Sequence, residues 1–328
     1  MRKILILLVA FVFVNNAAAQ RLQRYNVDPS SITVSGISSG AAMATQFHFS
    51  HSSQIAGAGI VAGVPNYCGI GGLAAANLCM SNPTSVNVNF LITQTNGLAA
   101  SNLIDPVANI RGDRVFIFHG SQDSTVLPAS GRNVQTMYNH YGANILTEFS
   151  IPAEHGWPTH NFGAPCSASS ANNAFMNNCG YRGAFHMLNY LYGGLTSPAD
   201  NAGNLGNLLN FDQAEFFALD PSLSSMSRSG FIYVPTACQG GGRCRLHISF
   251  HGCMQSSGNI GNIYATRAGF MEVAEVNNII VLFPQISAIT VNPAACWDWF
   301  GYLNTLFATR QGNQVLATHR MMTRVVHG

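Results

Sequence analysis

Short apolar runs rich in β-branched residues recur along the chain, with small-residue or amphipathic stretches between them. SITVSGI ends at residue 37, IAGAGIVAGVP covers 55–65, RVFIF covers 114–118 and ILTEFS 145–150. After a polar connector at 195–230 a second series begins, with FIYVP, RLHISF and NNIIVLFPQ. RVFIF is apolar at consecutive positions, as a strand covered on both faces requires. The intervening stretches predict helices over 41–49, 129–141, 182–192 and 313–326. Strands alternating with helices predict an α/β fold, a mostly parallel sheet with helices on both faces. Residues 66–112, mostly Asn, Gly, Ala and Ser with two cysteines, predict a helical excursion tied by a disulfide. Inside the connector one short element is expected, NFDQAEFF at 210–217.

The first run carries the chemistry. It enters Gly36-Ile37-Ser38-Ser39-Gly40 and leaves into small helix formers. A strand that reverses sharply into a helix needs glycine where a Cβ would collide, and it exposes the central serine at the strand's end. In a chain with 32 glycines such a pentapeptide also arises without chemistry, so the strand–turn–helix context matters. A serine becomes a nucleophile only with a histidine to take its proton and a carboxylate to orient that histidine. Asp123 follows the 114–118 strand and His155 follows the 145–150 strand, and in a parallel sheet such loops gather at one edge with Ser38. Asp105 and Asp113 precede their strand and are weaker rivals. His160, five positions after His155, is the rival base. Each of these residues has an ordinary use as well, an aspartate in a turn or a histidine satisfied in a loop. The order Ser, Asp, His is that of the α/β-hydrolases.

The His251-Gly252-Cys253 turn has the form of a loop that donates one oxyanion-hole amide, yet such a loop normally precedes the nucleophile. Joining the last helix, 313–326, to the segment that begins at Tyr25 restores the usual strand order. A circular permutation is therefore expected, with one catalytic domain over 20–328.

Residues 1–19 have the form of a secretory signal peptide: Arg2 and Lys3, an apolar run from Ile4 to Val14, then Ala17-Ala18-Ala19. That run is too short to span a bilayer. Its removal leaves 13 basic against 13 acidic residues, a neutral chain that offers nothing to nucleic acid or an anionic membrane. Only 9% of residues are charged, and the mean hydropathy is positive, which suits contact with a neutral, water-poor substrate. Eight cysteines in an exported chain predict disulfides. Spacing favours Cys68–Cys79, Cys166–Cys179 and Cys238–Cys244, each closing a short loop, with Cys253 and Cys296 left for each other. No C-x-x-C or H-E-x-x-H is present, so no metal site is expected.

Together YNVDPSSITVSGISSGAAM, HGSQDSTV, AEHGWPT, the FIYVP…LHISFHGCMQS segment and NPAACWDWFGY at 292–302 resemble the secreted polyhydroxybutyrate depolymerases, in the single-domain, circularly permuted form known from fungi. The resemblance covers both ends and the middle of the chain and is weaker over 66–112 and 195–228. It implies Ser38 as nucleophile, Asp123 as acid and His155 as base, with the backbone amides of Ser39 and Cys253 as oxyanion hole. It also implies a Cys253–Cys296 disulfide, and an esterase of poly(3-hydroxybutyrate) or its oligomers that needs no cofactor. Neither a polymer-binding domain nor a Thr-rich linker is found here, which keeps soluble oligomers beside polymer as expected substrates. A polyester cleft should be apolar and aromatic, so Trp297, Trp299 and Trp157 are candidate substrate contacts, with burial in the core as their alternative. Two other functions fit the same motifs: a feruloyl or acetyl esterase acting on plant polysaccharide, and a non-catalytic secreted polymer-binding protein.

Overall fold

The computed structural model describes residues 19–199 and 205–328. The expected leader, Ala19 apart, lies outside the described residues. The first half of the chain builds one side of the sheet: β1 (Val27–Ile37), α1 (Ser39–Ser50), β2 (Gly57–Val61), α2 (Leu73–Ser81), α3 (Val88–Ala100), β3 (Arg114–Phe118), α4 (Ala129–His140) and β4 (Asn144–Glu148). Three short strands, β5 (Trp157–Thr159), β6 (Ala164–Pro165) and β7 (Met176–Asn178), form a separate small sheet, followed by α5 (Gly183–Tyr192). The second half adds β8 (Asn207–Asp212), β9 (Ser229–Val234), α6 (Thr236–Gln239), β10 (Cys244–Phe250), α7 (Ser257–Ile260), α8 (Ile263–Arg267), α9 (Phe270–Asn277), β11 (Ile279–Phe283) and α10 (Asn313–His327).

The main sheet has the order β4-β3-β2-β1-β10-β11-β9-β8. All pairs from β4 to β11 are parallel, and β9 and β8 are antiparallel at the far edge. Alternate side chains of the central strands divide between two apolar layers. Val115 and Ile117 of β3 join the layer of α1, α4 and α10; Phe116 and Phe118 face the layer of α5 and α9. Both faces are thus covered, as consecutive apolar positions require.

Two elements differ from expectation. The connector contains an edge strand, β8, whose NLLNFD pattern shows no clean alternation because exposed Asn207 and buried Phe211 share a face. The small sheet of two- and three-residue strands is too short for any period to register. The excursion at 66–112 is helical as expected, and the backbone amide of Leu127 donates to Met80 O at 2.9 Å, pinning α2 over the loop after β3. At the chain's end, Tyr25 N donates to Val325 O at 2.9 Å, so α10 finishes beside the entry to β1. All eight cysteines are paired, as Cys68–Cys79, Cys166–Cys179, Cys238–Cys244 and Cys253–Cys296. Among the described residues no helix is long and apolar enough to cross a membrane.

Candidate active site

The turn from β1 into α1 holds Ser38 at φ 56° and ψ −121°, a conformation that an L-residue adopts only under constraint from its surroundings. The constraint is backbone: Ser38 N donates to Val61 O, and Ala42 N to Ser38 O, both at 3.0 Å. A Cβ on Gly36 would lie 2.2 Å from Gly40 O, and one on Gly40 would lie 2.3 Å from Phe250 O and 2.4 Å from His251 O. Both glycines are therefore required by close backbone approach, one within the turn and one against β10. Ser38 is half-buried at the sheet's C-terminal edge, while Ser39 is buried at the start of α1.

Asp123 and His155 stand on the loops after β3 and β4, at the same edge. Asp123 is buried; its Oδ1 accepts from Thr125 N at 3.0 Å and Val126 N at 2.8 Å. Its Oδ2 lies 2.8 Å from His155 Nδ1, so the imidazole donates there and leaves Nε2 for proton transfer. Glu154 ties the two loops together, its Oε1 accepting from Ser124 N and His155 N, each at 2.8 Å, and from Ser124 Oγ at 3.1 Å. Nothing in the motif reading singled out Glu154, because the partner that gives it a bridging role, Ser124, lies 30 residues away. The rivals lie elsewhere. Asp105 accepts from Ser53 and pairs with Arg310 at 2.7 Å, and Asp113 faces His48 at 3.1 Å. His160 is exposed on the wall of a different cavity.

The loop after β10 is held rigidly beside Ser38. His251 donates from Nδ1 to Gly252 O and accepts from Ile286 N on Nε2; burial depresses its pKa to about 4, so the ring stays neutral. Gly252 N donates to Gln255 Oε1 at 2.7 Å and Met254 N to Ala294 O at 2.7 Å, whereas Cys253 N makes no hydrogen bond among the described residues. Ser39 N, at a helix start, is one of the amides that a helix leaves without an intrahelical acceptor. The Cys253–Cys296 bridge fastens this loop to the 292–303 segment.

Tryptophan placement separates the three candidates. Trp299 lines the cavity at Ser38. Trp157 does not: it is wholly buried, packed on Tyr264 and Phe270, with its indole N–H donating to Ala268 O at 2.9 Å. Trp297 is wholly buried too, and it spans the loops, its indole N–H donating to His251 O at 3.0 Å and its amide to Ser39 Oγ at 3.3 Å. The expectation that these two contact substrate is corrected: an interior acceptor satisfies each indole N–H, so burial is the cheaper state.

The cavity at Ser38 is small, about 30 Å³, and mostly apolar, walled by Ala62, Val64, Met80, Val126 and Trp299. Met80 comes from the 66–112 excursion, where little chemistry was legible, and Val126 from the loop that carries Asp123. A larger cavity of about 220 Å³ opens between α5 and α9 and is lined by none of Ser38, Asp123 and His155. Among the described residues no three or more His, Cys, Asp or Glu side chains cluster as a metal site would require.

No family model matches the chain. It is similar to a polyhydroxybutyrate depolymerase of Talaromyces funiculosus, 30% identical over 95% of this chain and 94% of that protein. The chain belongs to the polyhydroxybutyrate depolymerases. It is also 37% identical over 317 residues to a poly(3-hydroxybutyrate) depolymerase of Delftia acidovorans, of whose length it spans 63%. Two solved structures share the fold at 30% identity, each matched over 94% of this chain and 99% of its own. One is a serine-to-alanine variant of a PHB depolymerase complexed with an R3HB trimer, with a TM-score of 0.84. The other is the PHB depolymerase from Penicillium funiculosum, with a TM-score of 0.83. The depolymerase fold is thus of the α/β-hydrolase type, a mostly parallel eight-stranded sheet with helices.

Proposed function

We propose that this chain is a secreted serine esterase that hydrolyses poly(3-hydroxybutyrate) or its oligomers through Ser38, His155 and Asp123. The observation that carries the reading is the 2.8 Å His155–Asp123 pair on the same sheet edge as the strained Ser38 turn. His155 Nε2 takes the Ser38 proton as Oγ attacks the ester carbonyl, and the amides of Ser39 and Cys253 hold the developing oxyanion. The tetrahedral intermediate collapses with loss of the 3-hydroxyacyl alcohol, which receives the proton from His155. Water, deprotonated by the same ring, then attacks the acyl-enzyme and frees Ser38. Asp123 holds the imidazole in the required tautomer and balances its transient charge. Every proton and leaving group in the cycle is accounted for without a cofactor.

The substrate assignment rests on the family and on the cavity. Val64, Met80, Val126 and Trp299 offer apolar contact to a methyl-bearing acyl chain, and the space of about 30 Å³ suits a small branch. Secretion accords with four disulfides, which persist in oxidising compartments. A circularly permuted single domain accords with the strand order: reading from β8 through β11 and then through β1 to β4 places the oxyanion loop before the nucleophile, and α10 already ends against Tyr25.

The test is acid release from amorphous poly(3-hydroxybutyrate), from an R-3-hydroxybutyrate trimer and from methyl ferulate, by the protein and by Ser38→Ala. Ser38-dependent release from polymer or trimer supports the proposal. Ser38-dependent release from ferulate alone overturns the substrate, and release that survives Ser38→Ala overturns the mechanism.

A further inference from the structure

The triad acid has a second histidine on it. His119 sits where β3 ends, wholly buried, with Nε2 2.7 Å from Val126 O and 3.5 Å from Asp123 Oδ2, the same oxygen that receives His155. A carbonyl only accepts, so the proton of His119 is on Nε2 and is donated to Val126 O, with Asp123 Oδ2 alongside. Its Nδ1 is buried and has no hydrogen-bond partner. Burial also lowers the pKa of the ring, so no second proton is held on Nδ1. A ring filling this place needs space from the neighbouring helix. Gly131 in the first turn of α4 gives it, since a Cβ there would lie 2.7 Å from His119 Nδ1.

We propose that His119 is a positioning residue for the hydrolytic site, a buried imidazole beside Asp123 that sets the orientation of that carboxylate toward His155. The proposal rests on the reading of Ser38, His155 and Asp123 as a triad. Thr125 N and Val126 N fix Oδ1 of Asp123, and His119 Nε2 stands 3.5 Å from Oδ2. By donating to Val126 O, the ring also closes the Asp123–Val126 turn, whose last member lines the cavity at Ser38. Neutrality is essential: a cation here would compete with the imidazolium of His155 for Asp123. The groups acting electrostatically on His119 are Asp123 on its own loop and His155 from the loop after β4, while α4 presents the glycine. Glu154, bound to Ser124 and to the His155 amide, completes the charged surroundings of the two loops.

The experiment compares His119→Phe, His119→Gln and Gly131→Ala with the parent chain, by pH–rate profiles on a soluble R-3-hydroxybutyrate trimer and by thermal melts. Phe fills the space without a donor. Asp123 then loses a partial positive neighbour and binds the imidazolium more strongly, so the acid limb of kcat/KM moves up by about half a pH unit, and kcat falls about tenfold with KM little changed. Gln restores a donor and returns the acid limb to its parent position. Gly131→Ala, which touches no triad member, displaces the ring and moves the limb as Phe does. A merely structural role would lower the melting temperature and leave the limb in place, and that result in any folded donor-free or displaced variant overturns the proposal. If Phe does not fold, Gly131→Ala carries the same test. Activity that persists in Ser38→Ala would instead overturn the triad itself, a distinguishable failure.

Discussion

The two halves of the site are held in place by different forces. The Ser38 turn is built from backbone: its angles follow from close contacts at Gly36 and Gly40 and from amides bonded to neighbouring strands. The Asp123–His155 arm adds side-chain bonds to backbone ones: Ser121 N and Gln122 N donate to Ile151 O and Ala153 O, a Cβ on Gly120 would lie 2.1 Å from Ala153 O, and Glu154 ties Ser124 to His155. Backbone packing tolerates no added atom and fails all at once; a network of side-chain bonds can lose a member and degrade by steps.

Chemical loss should be largest at the turn's own side chain. Ser38→Ala removes the proposed nucleophile while leaving the turn, and kcat should fall by about 10⁴-fold or more, measured on the trimer, with an unchanged melt. Gly40→Ala breaks the turn itself: the new Cβ meets two carbonyl oxygens of β10 and its loop, and stability should fall by about 3 kcal/mol or more, read in a denaturant titration. Replacing both Cys253 and Cys296 by serine opens a loop whose ends are 43 residues apart. A loss of about 4 kcal/mol follows from chain entropy, with activity falling as well, because the loop carrying the Cys253 amide loses its brace. On the side-chain arm, Glu154→Ala should lower kcat by about tenfold with a shallow stability loss, and Glu154→Gln, which retains an acceptor, should recover most of it.

Acid separates the two regions further. His247 is buried between Thr33 Oγ1 and Ser35 Oγ, each 2.7 Å from a ring nitrogen, and burial depresses its pKa to about 3; His251 in the oxyanion loop is depressed to about 4. Both lie below the unfolded value near 6.5, so the unfolded chain binds more protons throughout that interval. Stability is therefore greatest above about pH 6.5 and declines as the pH falls toward 4. Melting temperatures taken across that range should fall steadily on the acid side. A flat profile would mean that these rings are not held neutral.

The turn was legible in the sequence because its determinants are contiguous: β-branched run, two glycines and serine lie within ten residues. The strand-end positions of Asp123 and His155 were legible for the same reason, since each follows a clear apolar run. Glu154 and His119 lie beside those residues in the chain, but Glu154 depends on Ser124 of another loop and His119 on how its own loop folds back, and no periodicity marks them. His119, four residues before Asp123, was the available signal. Met80 and Val126 reach the cavity through the pairing of α2 with the Asp123 loop, a tertiary contact that composition does not announce. Tryptophan type alone pointed Trp157 and Trp297 toward substrate, whereas carbonyl acceptors at Ala268 and His251 retain them in the interior.

The central claim is that Ser38 is the group acylated by substrate. Its most direct test is labelling with a fluorophosphonate, followed by mass spectrometry of the digested protein and by trimer hydrolysis on the same samples. The account predicts one adduct, on Ser38, with hydrolysis lost in proportion to labelling and no adduct on Ser38→Ala. An adduct on another residue that abolishes hydrolysis, or full hydrolysis by protein labelled at Ser38, would contradict it.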